Sequence, residues 1–516
     1  MSSGGCPIVK MTNKKNLLQI PLFLICIPLV FLINNAHYYY RLLDWSQFIV
    51  PLIIYLLIPI PIYFILARIF RSKDKAAVFT GFLLLIFYFF SALHQWLRES
   101  PFVWLSRYSI LLSLLLVLLI LLFLYLKKSS RSFHTFIYRT NLIFLLLCTA
   151  GFIQLGYKYF TKAELQNDQA DPEKKLSKDY QRCDTCVKPD IYYILLDGYT
   201  NSSTLQKEFG YNNSAVENFL NSKGFYINSR SRSNYNFTHM SMASVFNLNY
   251  LSHLDNSKTF YTKEFLQSYY TMYKNEWCRI LQKEGYAIKN YSIFNIEGAT
   301  VKITPFLTEL SYRSVPGQTF FNKLNRDIGW KLNKFLYPTD QISKEGKKYI
   351  DKNIKRIDET FGGIMQETRQ TSSSPRFVYA HFLLPHETFY FDSTGKRLPD
   401  LYSIKTQLNK KDYINQLAYT NKYIIEPLVD SIVKNNHRPA IIIIQGDHGY
   451  RNYPPEQIDL EFENFNAVFF PGKTYSDFSN SQTIVNTFRI VLNNYFGQQL
   501  PLLKDSSINL MKQRSR

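Results

Sequence analysis

The sequence predicts an α/β protein in two parts: five apolar helices, then a mostly parallel sheet with helices on both faces. Three observations predict it. Long apolar blocks fill the first third of the 516-residue chain, whereas the remainder has ordinary soluble composition. After residue 189, short β-branched runs alternate with helical periodicity, the pattern of a parallel sheet. The wholly apolar run Ala440 to Ile444 reads as a strand buried on both faces, and it ends abruptly in Gly446-Asp447-His448-Gly449.

The apolar segments fall near Leu17–Asn35, Phe48–Ile69, Ala76–Trp96, Ser109–Leu126 and Asn141–Tyr159, each long enough to cross a bilayer as a helix. No convincing signal-peptidase site follows the first, so it is not read as a cleaved leader. Lys10, Lys14 and Lys15 precede the first span. Arg68, Arg71, Lys73 and Lys75 separate the second from the third, and Lys127, Lys128, Arg131 and Arg139 the fourth from the fifth. The two intervening loops carry only Arg41, or Arg98 and Arg107. Positive charge marks the cytoplasmic side, so the amino terminus is expected in the cytoplasm of a multi-pass inner-membrane protein. An odd number of spans then puts everything after Tyr159 outside. Tyr38, Tyr39, Tyr40, Trp96 and Trp104 fit an aromatic belt, and His94 and Arg107 are expected at the interface. The formal net charge of +21 does not point to nucleic acid, because much of the Lys and Arg clustering flanks apolar blocks and no nucleic-acid motif is present.

The expected organisation is a membrane region over 1–160, a polar linker over 161–189 and an outward-facing domain over 190–516. The linker ends in Cys183-Asp-Thr-Cys186; outside the cytoplasm these thiols are expected to be oxidised, to each other or through Cys278. The soluble part opens with the strand Asp190–Leu196, closed by Asp197-Gly198. Helical periodicity follows over Ser214–Ser222, and helix formers begin directly after Thr238. That residue is either an ordinary N-cap or a hydroxyl held where helix N–H groups face an oxyanion. Long helices are predicted over Lys263–Glu284, Lys344–Gln366, Gln407–Asn435 and Gln482–Tyr495. Strands are predicted at Ala287–Phe294, from Arg376 into a loop bearing His381 and His386, and at Asn466–Phe470.

Groups far apart in sequence converge when they share the carboxyl edge of a parallel sheet. Asp197, Asp447, His448 and the Thr238 oxygen make a donor set for one divalent cation, with manganese, zinc and magnesium all compatible. Such a cation lowers the pKa of a bound hydroxyl and neutralises charge on a phosphoryl group. His386, and less directly His381, would donate to substrate or leaving group. Arg230 and Arg232, just upstream of Thr238, are either headgroup-binding or solvated loop charges.

These residues resemble the alkaline phosphatase and sulfatase superfamily. Ile-Leu-Leu-Asp197 is similar to its first metal-ligand strand, and Asp447-His448-Gly449 to its late metal motif. Thr238-His-Met-Ser-Met-Ala243 lies over the Cys-x-Pro-Ser-Arg-Ala pattern, and Leu384-Pro-His386-Glu387 over the Ser-His-x-Pro segment of the transferases. The layout of five spans followed by an outward domain is similar to lipoteichoic acid synthases and lipid A phosphoethanolamine transferases. The resemblance implies an alkaline-phosphatase-like domain with Thr238 as nucleophile, His386 at the substrate, a membrane-lipid donor and an envelope glycan or lipid acceptor. The departures carry information too. Met240 and Met242 replace the signature Pro and Arg, Gly198 follows Asp197 where many sulfatases have a second Asp, and no histidine follows His448. Together they imply one metal and phospho-transfer from a threonine. The alternatives are a sulfuric or phosphoric ester hydrolase and an inactive scaffold of the same fold.

Overall fold

The computed structural model describes residues 20–38, 52–161, 176–251, 254, 262–303, 315, 317–329, 344–399, 401, 409–435, 437–472, 475–479 and 481–510. The charges Lys10, Lys14 and Lys15, the residues Tyr39, Tyr40 and Arg41, and linker residues 162–175 lie outside them. The chain folds as two compact units, Met1–Ala163 with Thr308–Pro338, and Glu164–Leu307 with Thr339–Arg516. The expected division into 1–160, a linker over 161–189 and 190–516 does not include the second segment of the first unit, Thr308–Pro338.

The first unit is helical: α1 (Phe23–Tyr38), α2 (Leu52–Phe70), α3 (Lys73–Glu99), α4 (Tyr108–Lys128) and α5 (His134–Thr161). The last four are long and apolar enough to cross a membrane, whereas α1 is a shorter apolar helix over its described residues. Exposed side chains such as Leu116, Leu121 and Ile153 are what a lipid-facing surface requires. Asn141 sits buried on α5, where its Oδ1 accepts the otherwise orphaned Phe23 amide that opens α1, at 2.8 Å. A short helix, Phe320–Leu324, packs on α3, with Phe320 edge-on to Phe90 at 4.9 Å. Gln318 Oε1 accepts from Ser91 at 2.6 Å, and Asp327 binds the Tyr108 hydroxyl and Lys323. Arg107 is exposed, whereas His94 is buried and stacked on Phe90 and Tyr108.

The second unit holds a six-stranded sheet in the order β2-β6-β5-β1-β4-β3. Its strands are β1 (Asp190–Leu196), β2 (Tyr226–Ile227), β3 (Ala287–Tyr291), β4 (Arg376–Phe382), β5 (Ala440–Gly446) and β6 (Asn466–Phe469). The pairs β1–β4, β1–β5 and β3–β4 are parallel, and only β6 runs against the rest. Every residue of β1, β4 and β5 is buried, which is why these strands read as continuous apolar runs. Helices in this unit are α6 (Ser202–Phe209), α7 (Ser214–Ser222), α8 (Thr238–Phe246), α9 (Thr262–Tyr273), α10 (Glu276–Lys283), α11 (Lys344–Arg369), α12 (Lys410–Tyr419), α13 (Glu426–Asn435) and α14 (Thr487–Tyr495).

Alternation along the strands covers both faces. Ile194 and Ile444 pack with Ile354 of α11 and Leu428 of α13 in one apolar core. On the other face Tyr193 meets Phe246 of α8 and Phe488 of α14, with ring centroids 5.6 and 5.2 Å apart, and Trp277 of α10 stacks on Phe488 at 4.1 Å. Each large side chain so buried is worth about 1.5–3 kcal/mol.

Three predicted helices are interrupted. The one expected over Lys263–Glu284 breaks between α9 and α10, where Asn275 caps the second piece by accepting from the Cys278 amide at 2.8 Å. The one over Gln407–Asn435 contains a π turn at Thr420–Ile425, and the last begins as a 3-10 turn at Ile484–Asn486. Of the open cysteine pairings, Cys183 joins Cys186, and Cys278 is buried and free.

Candidate metal and nucleophile site

Parallel register brings the site together. β1 lies between β4 and β5, with Leu195 opposite His381 and Leu196 opposite Gly446, so the next residues of three adjacent strands emerge at one edge. Close backbone approach at this edge demands glycine. A Cβ on Gly446 would lie 2.6 Å from the Tyr199 carbonyl oxygen, and Gly198 turns the chain after β1 with φ +73°.

One oxygen of Asp447 is tied down: Oδ1 accepts from the Gly198 and His448 amides, both at 2.9 Å. His448 Nδ1 is 2.6 Å from the Gly449 carbonyl oxygen, so Nδ1 carries the proton and Nε2 presents a lone pair. That lone pair faces Asp447 Oδ2 at 3.2 Å and Asp197 Oδ1 at 3.5 Å. Both of these carboxylate oxygens are buried, and among the described residues neither has a hydrogen-bond partner. Three electron-rich atoms thus converge inside the protein. Leaving a buried acceptor unpaired costs roughly 1–3 kcal/mol, more when it is charged. The donor chemistry, two carboxylates and a neutral imidazole, fits a divalent cation.

Electrostatics hold these groups in the required forms. Burial opposes ionisation of Asp197, but His386 and the hydrogen bond from His381 hold its carboxyl well below the usual carboxylate range. Burial, helped by the Arg451 charge, lowers His448 below an ordinary histidine, which keeps it neutral.

Thr238 is the first residue of α8. The N-cap is Phe237, and no side-chain cap bond forms there, so the capping alternative does not describe Thr238. Its Oγ1 lies 3.4 Å from His448 Nε2 and accepts from Arg451 Nη2 at 3.2 Å. One turn on, Ser241 Oγ donates to the Asp447 carbonyl at 2.7 Å and fastens α8 to the end of β5.

His381 and His386 take different places. His381 is buried, donates through Nε2 to Asp197 Oδ2 at 3.3 Å and stacks on Phe294, so it orients the carboxylate. His386 is partly exposed, with Nε2 3.9 Å from Asp197 Oδ1. Burial would lower its pKa, but the Asp197 and Glu387 carboxylates outweigh burial and raise it. Arg232 is engaged elsewhere: it pairs with Glu463 and lies over the Phe462 ring, while Arg230 is exposed. Sequence reasoning singled out these two arginines by nearness in the chain and missed Arg451, which reaches Thr238 from beyond β5.

No family model and no curated protein matches the chain. Solved structures do show similarity. The periplasmic domain of EptC from Escherichia coli is 10% identical, with 64% of this chain and 90% of that one covered and a TM-score of 0.36. The soluble domain of lipooligosaccharide phosphoethanolamine transferase A from Neisseria meningitidis is 12% identical, with 60% and 89% covered and a TM-score of 0.36. A phosphonate monoester hydrolase of Agrobacterium radiobacter is 11% identical, with 59% and 73% covered and a TM-score of 0.37. Similarity at that level carries no argument about activity, so the reading rests on the chain's own residues.

Proposed function

We propose that this chain is a membrane-anchored, metal-dependent phospho-transfer enzyme of the alkaline phosphatase and sulfatase type, with Thr238 as nucleophile. The observation that carries the reading is the convergence of Thr238 Oγ1 and His448 Nε2 with two unpartnered buried carboxylate oxygens, of Asp197 and Asp447. Asp197, Asp447, His448 and Thr238 would hold one divalent cation. When bound, it would lower the threonine pKa and offset charge on a phosphoryl group.

The chain's own residues account for the rest. Thr238 loses its hydroxyl proton to water and forms the new P–O bond while the bond to the leaving oxygen breaks, its electron pair staying on that oxygen. His386 gives the leaving oxygen a proton. In the second half a hydroxyl acceptor attacks the phosphothreonine and His386 takes the acceptor's proton; the P–O bond to Thr238 breaks with its electron pair on Oγ1, and water returns the proton that regenerates the hydroxyl. His381 keeps Asp197 in register. The apolar helices of the first unit suit a donor that is itself a membrane lipid, with a glycan, a lipid or water as acceptor. The distribution of Lys and Arg in the sequence supports a cytoplasmic amino terminus and a catalytic unit outside.

The test is a phosphothreonine trap. Full-length protein loaded with Mn²⁺ or Zn²⁺ is quenched in acid after exposure to envelope phospholipid, and the peptide containing residue 238 is weighed. A phosphate on Thr238, absent from Thr238→Ala, is the expected result. Lipid turnover unaffected by Thr238→Ala overturns the reading.

A further inference from the structure

We infer that Arg451 is the oxyanion-binding residue of this site, its guanidinium taking the non-bridging oxygens of a phosphoryl group presented to Thr238. This deepens the phospho-transfer reading and rests on it. Arg451 follows His448 by three residues, in the stretch that leaves β5. Its Nη2 is one hydrogen bond, 3.2 Å, from the oxygen that would attack. Its guanidinium lies over the Phe237 ring, 5.4 Å from the centroid, which restricts the orientation of the fork. Its Nε is buried and has no hydrogen-bond partner among the described residues.

What Arg451 lacks is as telling. Arg376 and Arg232 are matched to Asp190 and Glu463. Arg451 forms no ion pair with any acid among the described residues. Glu461 instead accepts from Asn236 Nδ2 at 3.1 Å. A guanidinium presents five donors in a planar fork, suited to two oxygens of one tetrahedral anion. Here the fork stands beside the nucleophile with donors to spare. A phosphoryl group on Thr238 Oγ1 would bring its oxygens within reach of them. Charge spreads over those oxygens in the transition state, so the interaction strengthens as reaction proceeds. The sequence places Met242, not a cation, at the fifth residue of α8; Arg451 supplies positive charge to the same hydroxyl from another element.

The test titrates inorganic phosphate into the full-length, detergent-solubilised protein with saturating Mn²⁺, by calorimetry, with metal content measured on the same samples. Arg451→Met is expected to weaken phosphate at least tenfold with metal content unchanged. Arg451→Lys, which keeps charge and loses the fork, falls between and guards against misfolding. The same factor is expected when Arg451→Met is compared within a Thr238→Ala background, because the anion, not the hydroxyl, is the ligand. Phosphate binding within twofold of wild type in Arg451→Met overturns the inference. So does a loss that vanishes in the Thr238→Ala background, which would make Arg451 a prop for the threonine, and so does wild-type protein that holds metal but no phosphate. Phosphothreonine separates the two readings. Arg451-dependent phosphate binding without any phosphothreonine removes phospho-transfer alone. Phosphothreonine forming as fast in Arg451→Met as in wild type removes the Arg451 role alone.

Discussion

The two ends of β1 carry the same residue in opposite circumstances. Asp190 opens the strand and Asp197 follows its last residue; they are 2% and 4% exposed, so burial does not distinguish them. Asp190 is saturated. It accepts from the Arg376 amide at 2.9 Å and from its Nε and Nη2 at 3.2 and 2.9 Å, with Arg438 also at 3.6 Å. Asp197 faces imidazoles and keeps one oxygen without a hydrogen bond. One end of the strand is a closed ion pair that serves the fold. The other is left incomplete by protein atoms alone, which is the arrangement of a site that takes its last partner from solution.

Variants can break this contrast, and the largest effect belongs to the open end. Thr238→Ala or Asp197→Ala should lower turnover by about 10³-fold or more, with Asp197→Ala also losing metal by elemental analysis. The closed end answers differently: Asp190→Ala should cost about 3–5 kcal/mol in denaturant melts, because buried Arg376 loses its hydrogen-bonded carboxylate and keeps, among the described residues, only Glu367, at 3.8 Å. Asp197→Asn should cost the metal-free fold less than that. Equal losses at both ends would erase the distinction. Added Mn²⁺ at 100 times its dissociation constant should stabilise the wild type by about 2.7 kcal/mol and the Asp197→Asn variant not at all, read as a melting shift. His381→Gln, which frees Asp197 from its orienting bond, should weaken metal about 10- to 100-fold by competitive chelation. The smallest effect concerns Glu284. Burial would raise its carboxyl, but Lys188, Tyr180 and the Cys183 amide pull it below the usual range. Its contribution is therefore present above the unfolded value of about 4.3 and fades as pH falls through the lower folded one. Protection of the Cys183 amide from exchange, taken relative to the intrinsic rate at each pH, should fall only on that acid side.

Much of this was legible in the chain because physics left few alternatives. A run such as Ala440 to Ile444 can only be central in a covered sheet, and the polar residues that end such strands must meet at one edge. That logic reaches Asp197, Asp447 and His448 without coordinates. It does not reach β2, two residues long, or the reversed direction of β6, since pairing with a neighbour leaves no periodic trace. The break before Asn275 was obscured because apolar spacing continues across it while the capping residue stops the helix. Arg451 was invisible for another reason: an arginine in a polar loop reads as solvated. Only the approach of α8 to β5, fastened by Ser241 on the Asp447 carbonyl, brings Thr238 under it.

The segment 308–338 has a practical bearing on how such a protein is cut. Because the polypeptide leaves the sheet-bearing unit at Leu307 and rejoins it at Thr339, no single cleavage point separates the two parts. An expression fragment starting near Glu164 would carry Gln318 without Ser91 and Asp327 without Tyr108, along with two phenylalanines, Phe320 and Phe321, stripped of Phe90 and Phe87. Such a fragment would expose a sticky excursion to water, and replacing 308–338 with a polar linker is the remedy the chain's own connectivity suggests.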